Sequence, residues 1–65
     1  MNAKNGTITS MWINRDGKSI GLAVVVHNVM HYSVHQVQVP YANKDNYRLG
    51  DNVLIDISSN TLIYQ

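Results

Sequence analysis

Sixty-five residues make room for one domain with one modest core, and the absence of cysteine excludes a disulfide framework and a thiolate metal site. Five Lys and Arg against four Asp give a net charge of +1, which excludes the strongly basic balance of a dedicated duplex-DNA binder. With 45% hydrophobic residues the chain is not disordered, and no apolar run reaches the ~18 residues of a membrane span.

Residues 1–5 lack the apolar centre of a signal peptide and read as a short flexible tail, leaving residues 6–65 as a single small domain. This and the lack of cysteine point to a cytoplasmic location. Every acidic residue is Asp, Asn is abundant, and Val, Ile and Thr outnumber Leu and Ala. Those are strand and turn formers, so composition predicts an all-β fold.

The first predicted strand covers residues 7–13. Strict alternation puts Thr7, Thr9, Met11 and Ile13 on one face and Ile8, Ser10 and Trp12 on the other. Asn14-Arg15-Asp16-Gly17 reads as a hairpin turn with Gly17 at positive φ. The second strand, residues 19–27, presents Ile20, Leu22, Val24 and Val26 as one apolar face, with Gly21 as a candidate bulge or bend.

Around Asn28 a connection with strand on both sides is expected, in preference to a helix rich in Val and His. In the third strand, residues 32–41, Val37, Val39 and Tyr41 alternate with Gln36, Gln38 and Pro40. Val34 is out of phase, which predicts a bulge near His35 or a strand that starts at Gln36. Pro40 marks a strand end or an edge. Residues 42–50 form a polar loop, with one helical turn at Lys44-Asp45-Asn46-Tyr47.

The Leu49-Gly50-Asp51-Asn52-Val53 step leads into a fourth strand with Val53, Ile55 and Ile57 inward. A Ser58-Ser59-Asn60 turn returns the chain as a fifth strand over residues 61–64. Gly50-Asp51-Asn52-Val53-Leu54-Ile55 resembles the "GDxVxI" strand entry of many SH3-like and OB-like small barrels. The expected fold is therefore a small five-stranded antiparallel barrel, SH3-like. The alternatives are an OB-like barrel or a two-hairpin sheet completed by oligomerisation.

His27, His31 and His35 recur every four residues, a spacing that puts all three on one face of a helix or of a continuous strand. In a strand, neighbours at that spacing stand about 13 Å apart, too far to share a metal ion. No Glu is available beside them as a general base. Asp16 and Asp51 suit local turn bonding. No phosphate loop, nucleophile elbow or calcium loop is present, so no catalytic residues, metal site, cofactor or small-molecule substrate is predicted.

All five aromatics, Trp12, Tyr32, Tyr41, Tyr47 and Tyr64, carry a polar handle, as at interfaces. Trp12 and one or two Tyr are expected to cap the barrel core. Two loops combine cations with rings or with one another: Lys44, Tyr47 and Arg48, with Tyr41 beside them, and Arg15 with Lys18. These six residues are the candidate binding residues.

The expectation is a non-enzymatic binding module, a protein-interaction, assembly or regulatory accessory protein similar to those of phages, plasmids and bacteria. Its partner is a protein or another copy of itself. The alternative is a single-stranded DNA- or RNA-binding barrel, and a second alternative is a His-mediated metal-binding protein.

Overall fold

The computed structural model describes residues 3–28 and 30–63. It contains strands β1 (Ala3–Ile13), β2 (Ser19–His27), β3 (Tyr32–Pro40), β4 (Asn52–Asp56) and β5 (Thr61–Leu62), with one 3₁₀ helix, η1 (Tyr41–Asn46), between β3 and β4. The five strands form one antiparallel sheet in the order β3-β2-β1-β4-β5. The sheet curls into a nearly closed small barrel, consistent with the SH3-like class.

Three hairpin-linked strands followed by a fourth that returns beside the first make a Greek key. A partly open five-stranded Greek-key barrel is also the description of the OB-type fold. The connectivity thus matches the OB-like alternative as well.

The core consists of Ile8, Ile20, Leu22, Val24, Val26, Val37, Val39, Ile55 and Leu62, all buried. Met11, Tyr41, Tyr47, Val53 and Ile57 pack around it. The inward sets of β2 and β4 are those that alternation predicts.

β1 is where strict alternation breaks. Its pairing with β2 shifts register between Ile8 and Ser10, so Ile8 faces Val24 while Met11 faces Leu22. The extra residue, Thr9, makes a bulge, which lets both apolar side chains point inward and turns Trp12 outward. The face assignment read from the sequence held only for one half of the strand.

The bulge also divides β1 between two partners. Ala3–Thr7 pair with β4, and Ile8 continues that edge through Ile8 N–H to Asp51 O (2.9 Å) and Gly50 N–H to Ile8 O (2.7 Å). Residues 3–5, read as tail, are therefore strand, because β4 supplies their ladder partners. Residues 1–2 lie outside the described set.

Gly21 is neither a bulge nor a bend; its role is described with Trp12 below. β3 carries no bulge: its nine residues pair with β2 without a register shift. Val34 is out of phase because it faces outward opposite Val25. Between β2 and β3, Asn28 N–H donates to His31 O at 2.7 Å.

Pro40 ends β3, and the helical segment starts at Tyr41, three residues earlier than expected. Gly17 (φ 66°), Gly50 (φ 90°) and Asn60 (φ 57°) occupy the left-handed region in the three turns. β5 is short, and Tyr64 of the expected fifth strand lies outside the described residues.

Candidate interaction face

Register places the side chains of the candidate site. Opposite the core, the outer face of β2 and β3 carries Ser19, Gly21, Ala23, Val25 and His27, paired with Pro40, Gln38, Gln36, Val34 and Tyr32. Beyond the bulge, Trp12 joins this face opposite Gly21.

The Trp12 indole lies across Gly21. A Cβ there would sit 2.1 Å from Trp12 Cε2, so only glycine leaves space for the ring. Trp12 Nε1 donates to Asn14 Oδ1 at 3.1 Å, and Asn14 Nδ2 donates to Ser19 Oγ at 2.9 Å and to Gln38 Oε1. Trp12 is thus pinned flat on the outside of the sheet and does not cap the core. Tyr41 and Tyr47 pack against the core instead.

No Lys, Arg, Asp or Glu occurs between Lys18 and Lys44, a stretch that includes all of β2 and β3. The outer face is consequently uncharged along the whole hairpin. The Lys, Arg and Asp side chains sit in turns and loops, in η1, or on β1 and β4. At the far end of the hairpin Tyr32, Val34 and Met30 are 65%, 55% and 90% exposed. The rings of His27 and Tyr32 meet there, 6.2 Å apart and tilted by 49°.

The six candidate residues fall into two groups. Lys18, Tyr41 and Lys44 come together, because Tyr41 N–H donates to Lys18 O at 2.9 Å and Lys44 Nζ donates to the Tyr41 hydroxyl at 2.9 Å. The same ammonium is 4.5 Å from the Tyr41 ring centroid. The hydrogen bond to Tyr41, and then its charge interaction with that phenol, hold Lys44 above the ordinary lysine value. Arg15 lies in the turn leading to Lys18.

An open cleft of about 260 Å³ at this end is lined by Met11, Trp12, Ile13, Ile20, Lys44 and Asp45. It brings Lys44 beside Trp12, a juxtaposition that chain spacing does not reveal.

Tyr47 and Arg48 belong to the second group. Tyr47 is half-buried and lines a separate cleft, also about 260 Å³, with Asn5, Asn52, Val53, Leu54, Leu62 and Ile63. Arg48 is held through its backbone: its N–H donates to Asp51 Oδ2 at 3.0 Å, and Asp51 N–H returns to Arg48 O at 3.1 Å. Lys44, Tyr47 and Arg48 are neighbours in sequence, but only Lys44 lines the Trp12 cleft.

The histidines do not share a face. His27 is on the outer side of β2, while His35 pairs with Val24 on the inner side of β3 and bonds Ser33 Oγ at 2.9 Å. Among the described residues no group of three or more His, Cys, Asp or Glu is placed to hold a metal ion. None of their helices is long and apolar enough to cross a membrane.

The fold and this face define a small all-β barrel whose β2–β3 hairpin carries no Lys, Arg, Asp or Glu. Compared with family models, curated proteins and solved structures, the chain has no significant match in any of the three.

Proposed function

We propose that the protein is a non-enzymatic, cytoplasmic protein-interaction module, an assembly or regulatory accessory factor, that binds its partner on the outer face of β1–β2–β3. The observation that carries this reading is the absence of charge on that face, from Trp12 and Gln38 to Tyr32 and Val34. The centre of a protein–protein interface is depleted in charge and enriched in aromatic residues, whereas a nucleic-acid surface needs Lys and Arg along the backbone path.

A charge placed mid-face tests it. Ala23→Glu sits opposite Ser10 and Gln36 and should abolish recovery of the cognate protein from native extract. The triple change Arg15→Ala, Lys18→Ala, Lys44→Ala should leave recovery intact. Unaltered recovery with Ala23→Glu would remove the face from the binding site.

One arrangement favours the second reading, single-stranded DNA or RNA. Lys44 lines a cleft with Trp12, and Tyr41 and Lys18 adjoin it, so a ring and cations meet at one end of a Greek-key barrel. Aromatic stacking beside cations is how such barrels hold single strands. Under this reading a labelled oligonucleotide binds at low salt, binding falls steeply as salt rises, and the triple change abolishes it. No binding at low salt would end it.

A further inference from the structure

β3 is an end strand of the sheet, and among the described residues no second strand pairs with its outer side. In an antiparallel pair, residues alternate between bonding the neighbour and pointing away from it. Tyr41 N–H bonds Lys18 on the β2 side and His31 O accepts from Asn28 on the same side, so the odd-numbered residues face β2. Gln36 O, by contrast, accepts from Asn60 Nδ2 in the β4–β5 turn, so the even-numbered residues face outward. The β4–β5 turn meets β3 at this point, and no ladder joins β5 to β3 among the described residues.

The outward N–H and C=O groups of Tyr32 and Val34 thus form a short template for another strand. Three of the usual protections, Lys, Pro and a bulge, are absent between Tyr32 and Val39, and the β4–β5 turn touches the edge at Gln36. The side chains along this stretch, Tyr32 and Val34, are among the most exposed large apolar ones in the molecule.

We propose that β3 pairs antiparallel with β3 of a second copy of this chain, about a two-fold axis near Val34. Val34 then stands opposite Val34 of the second copy, and Tyr32 opposite Gln36. The Gln36 carbonyl keeps one lone pair for this ladder while the other accepts from Asn60.

Charge selects the occupant. A two-fold contact sets each strand against itself, so any charged side chain near the axis would meet its own sign. β3 carries no Lys, Arg, Asp or Glu, which suits self-pairing and offers a charged foreign strand no complement. A 65-residue domain without disulfides also gains from association. Pairing joins two outer faces into one continuous surface. The inference goes beyond the proposed function, since it concerns the edge of β3 and not the partner of its face.

Sedimentation equilibrium and amide hydrogen exchange, both over a range of concentrations, test it on the full chain. The expected result is twice the 7.3 kDa chain mass at high concentration, with the Tyr32, Val34 and Gln36 amides slowing in step. Val34→Lys should give a folded monomer whose amides at 32 and 36 exchange freely, and Val34→Thr should remain a dimer.

A monomer at ~1 mM would overturn the proposal. So would a dimer in which the Tyr32 and Val34 amides stay unprotected, which would place the contact elsewhere. Protection at monomer mass would mean that the chain covers its own edge, and would equally overturn it. Should Val34→Lys fail to fold, the wild-type exchange pattern decides alone.

Discussion

Gly21 and Trp12 compete for the same space, and their coupling is measurable. Gly21→Ala puts a methyl group into the indole, so the ring must lift and give up its bond to Asn14. The expected cost is about 1–3 kcal/mol in urea unfolding, with a red shift of tryptophan emission. In a Trp12→Ala background the same change should cost almost nothing, because the methyl then meets open space. Additive costs would refute the packing assigned to this pair.

Asp56 gives a second single-residue prediction. Its carboxylate accepts from Ser58 Oγ at 2.6 Å and Ser58 N–H at 3.0 Å, and the Ser58 side-chain bond is the main reason its pKa lies below the ordinary aspartate value. A depressed carboxylate contributes stability that is present above the unfolded pKa and lost as pH falls through the folded one. The wild-type Tm should therefore drop more steeply below pH 4 than that of Asp56→Asn. Parallel curves for the two proteins would remove Asp56 from the acid limb.

Local chemistry of this kind was legible in the sequence. The left-handed glycines and the Asp side chains that bond nearby amides depend on neighbours only a few residues away. Trp12 was not, because its position depends on a cross-strand register that the Thr9 bulge resets.

At the scale of elements, the seam between β3 and the β4–β5 turn rests on Asn60. Its backbone sits at φ 57° and its side chain reaches Gln36 O. Two substitutions separate these roles. Asn60→Gly keeps the backbone free and loses the bond, a net cost of about 0.5–1.5 kcal/mol. Asn60→Ala loses the bond and also forces a Cβ residue into the left-handed region, adding about 1–2 kcal/mol. Stability should fall in the order wild type, Gly, Ala. Equal stability of wild type and Asn60→Gly would show that the seam bond contributes nothing.

The period-2 pattern located the inner faces of β2 and β4 because both are packed against the core. It misplaced the irregularity, assigning a bulge to β3 when the bulge lies in β1. Val34 broke the pattern by facing outward from a regular strand, and Ile8 with Met11 hid a real bulge behind plausible alternation. Periodicity registers burial, so an exposed valine on an edge strand and a bulge that keeps two apolar residues inside both mislead it. The candidate site suffered in the same way. Lys44, Tyr47 and Arg48 looked like one loop patch, yet Lys44 and Tyr47 line different clefts and Arg48 lines neither. The charge gap from Lys18 to Lys44 was visible in the sequence, but it acquires meaning only once the hairpin shows that one face inherits it.

At the scale of the molecule, the nine buried hydrophobic side chains among the described residues leave little margin. A single small core supplies ~3–5 kcal/mol, and truncating one fully buried leucine costs about 2–5 kcal/mol. Leu22 faces Met11 and Val37 at the centre of the barrel and is wholly buried. Leu22→Ala should therefore be largely unfolded at 25 °C and low concentration, read by circular dichroism and urea titration. If β3 pairs with a second copy, folding and association are linked, and raising the protein concentration stabilises the native state by mass action. The wild-type Tm should then climb with concentration, and Leu22→Ala should regain structure in concentrated solution. Val34→Lys should show a Tm independent of concentration, because its edge no longer pairs. A flat Tm for wild type and Val34→Lys alike would separate folding from association and leave the barrel stable as a single chain.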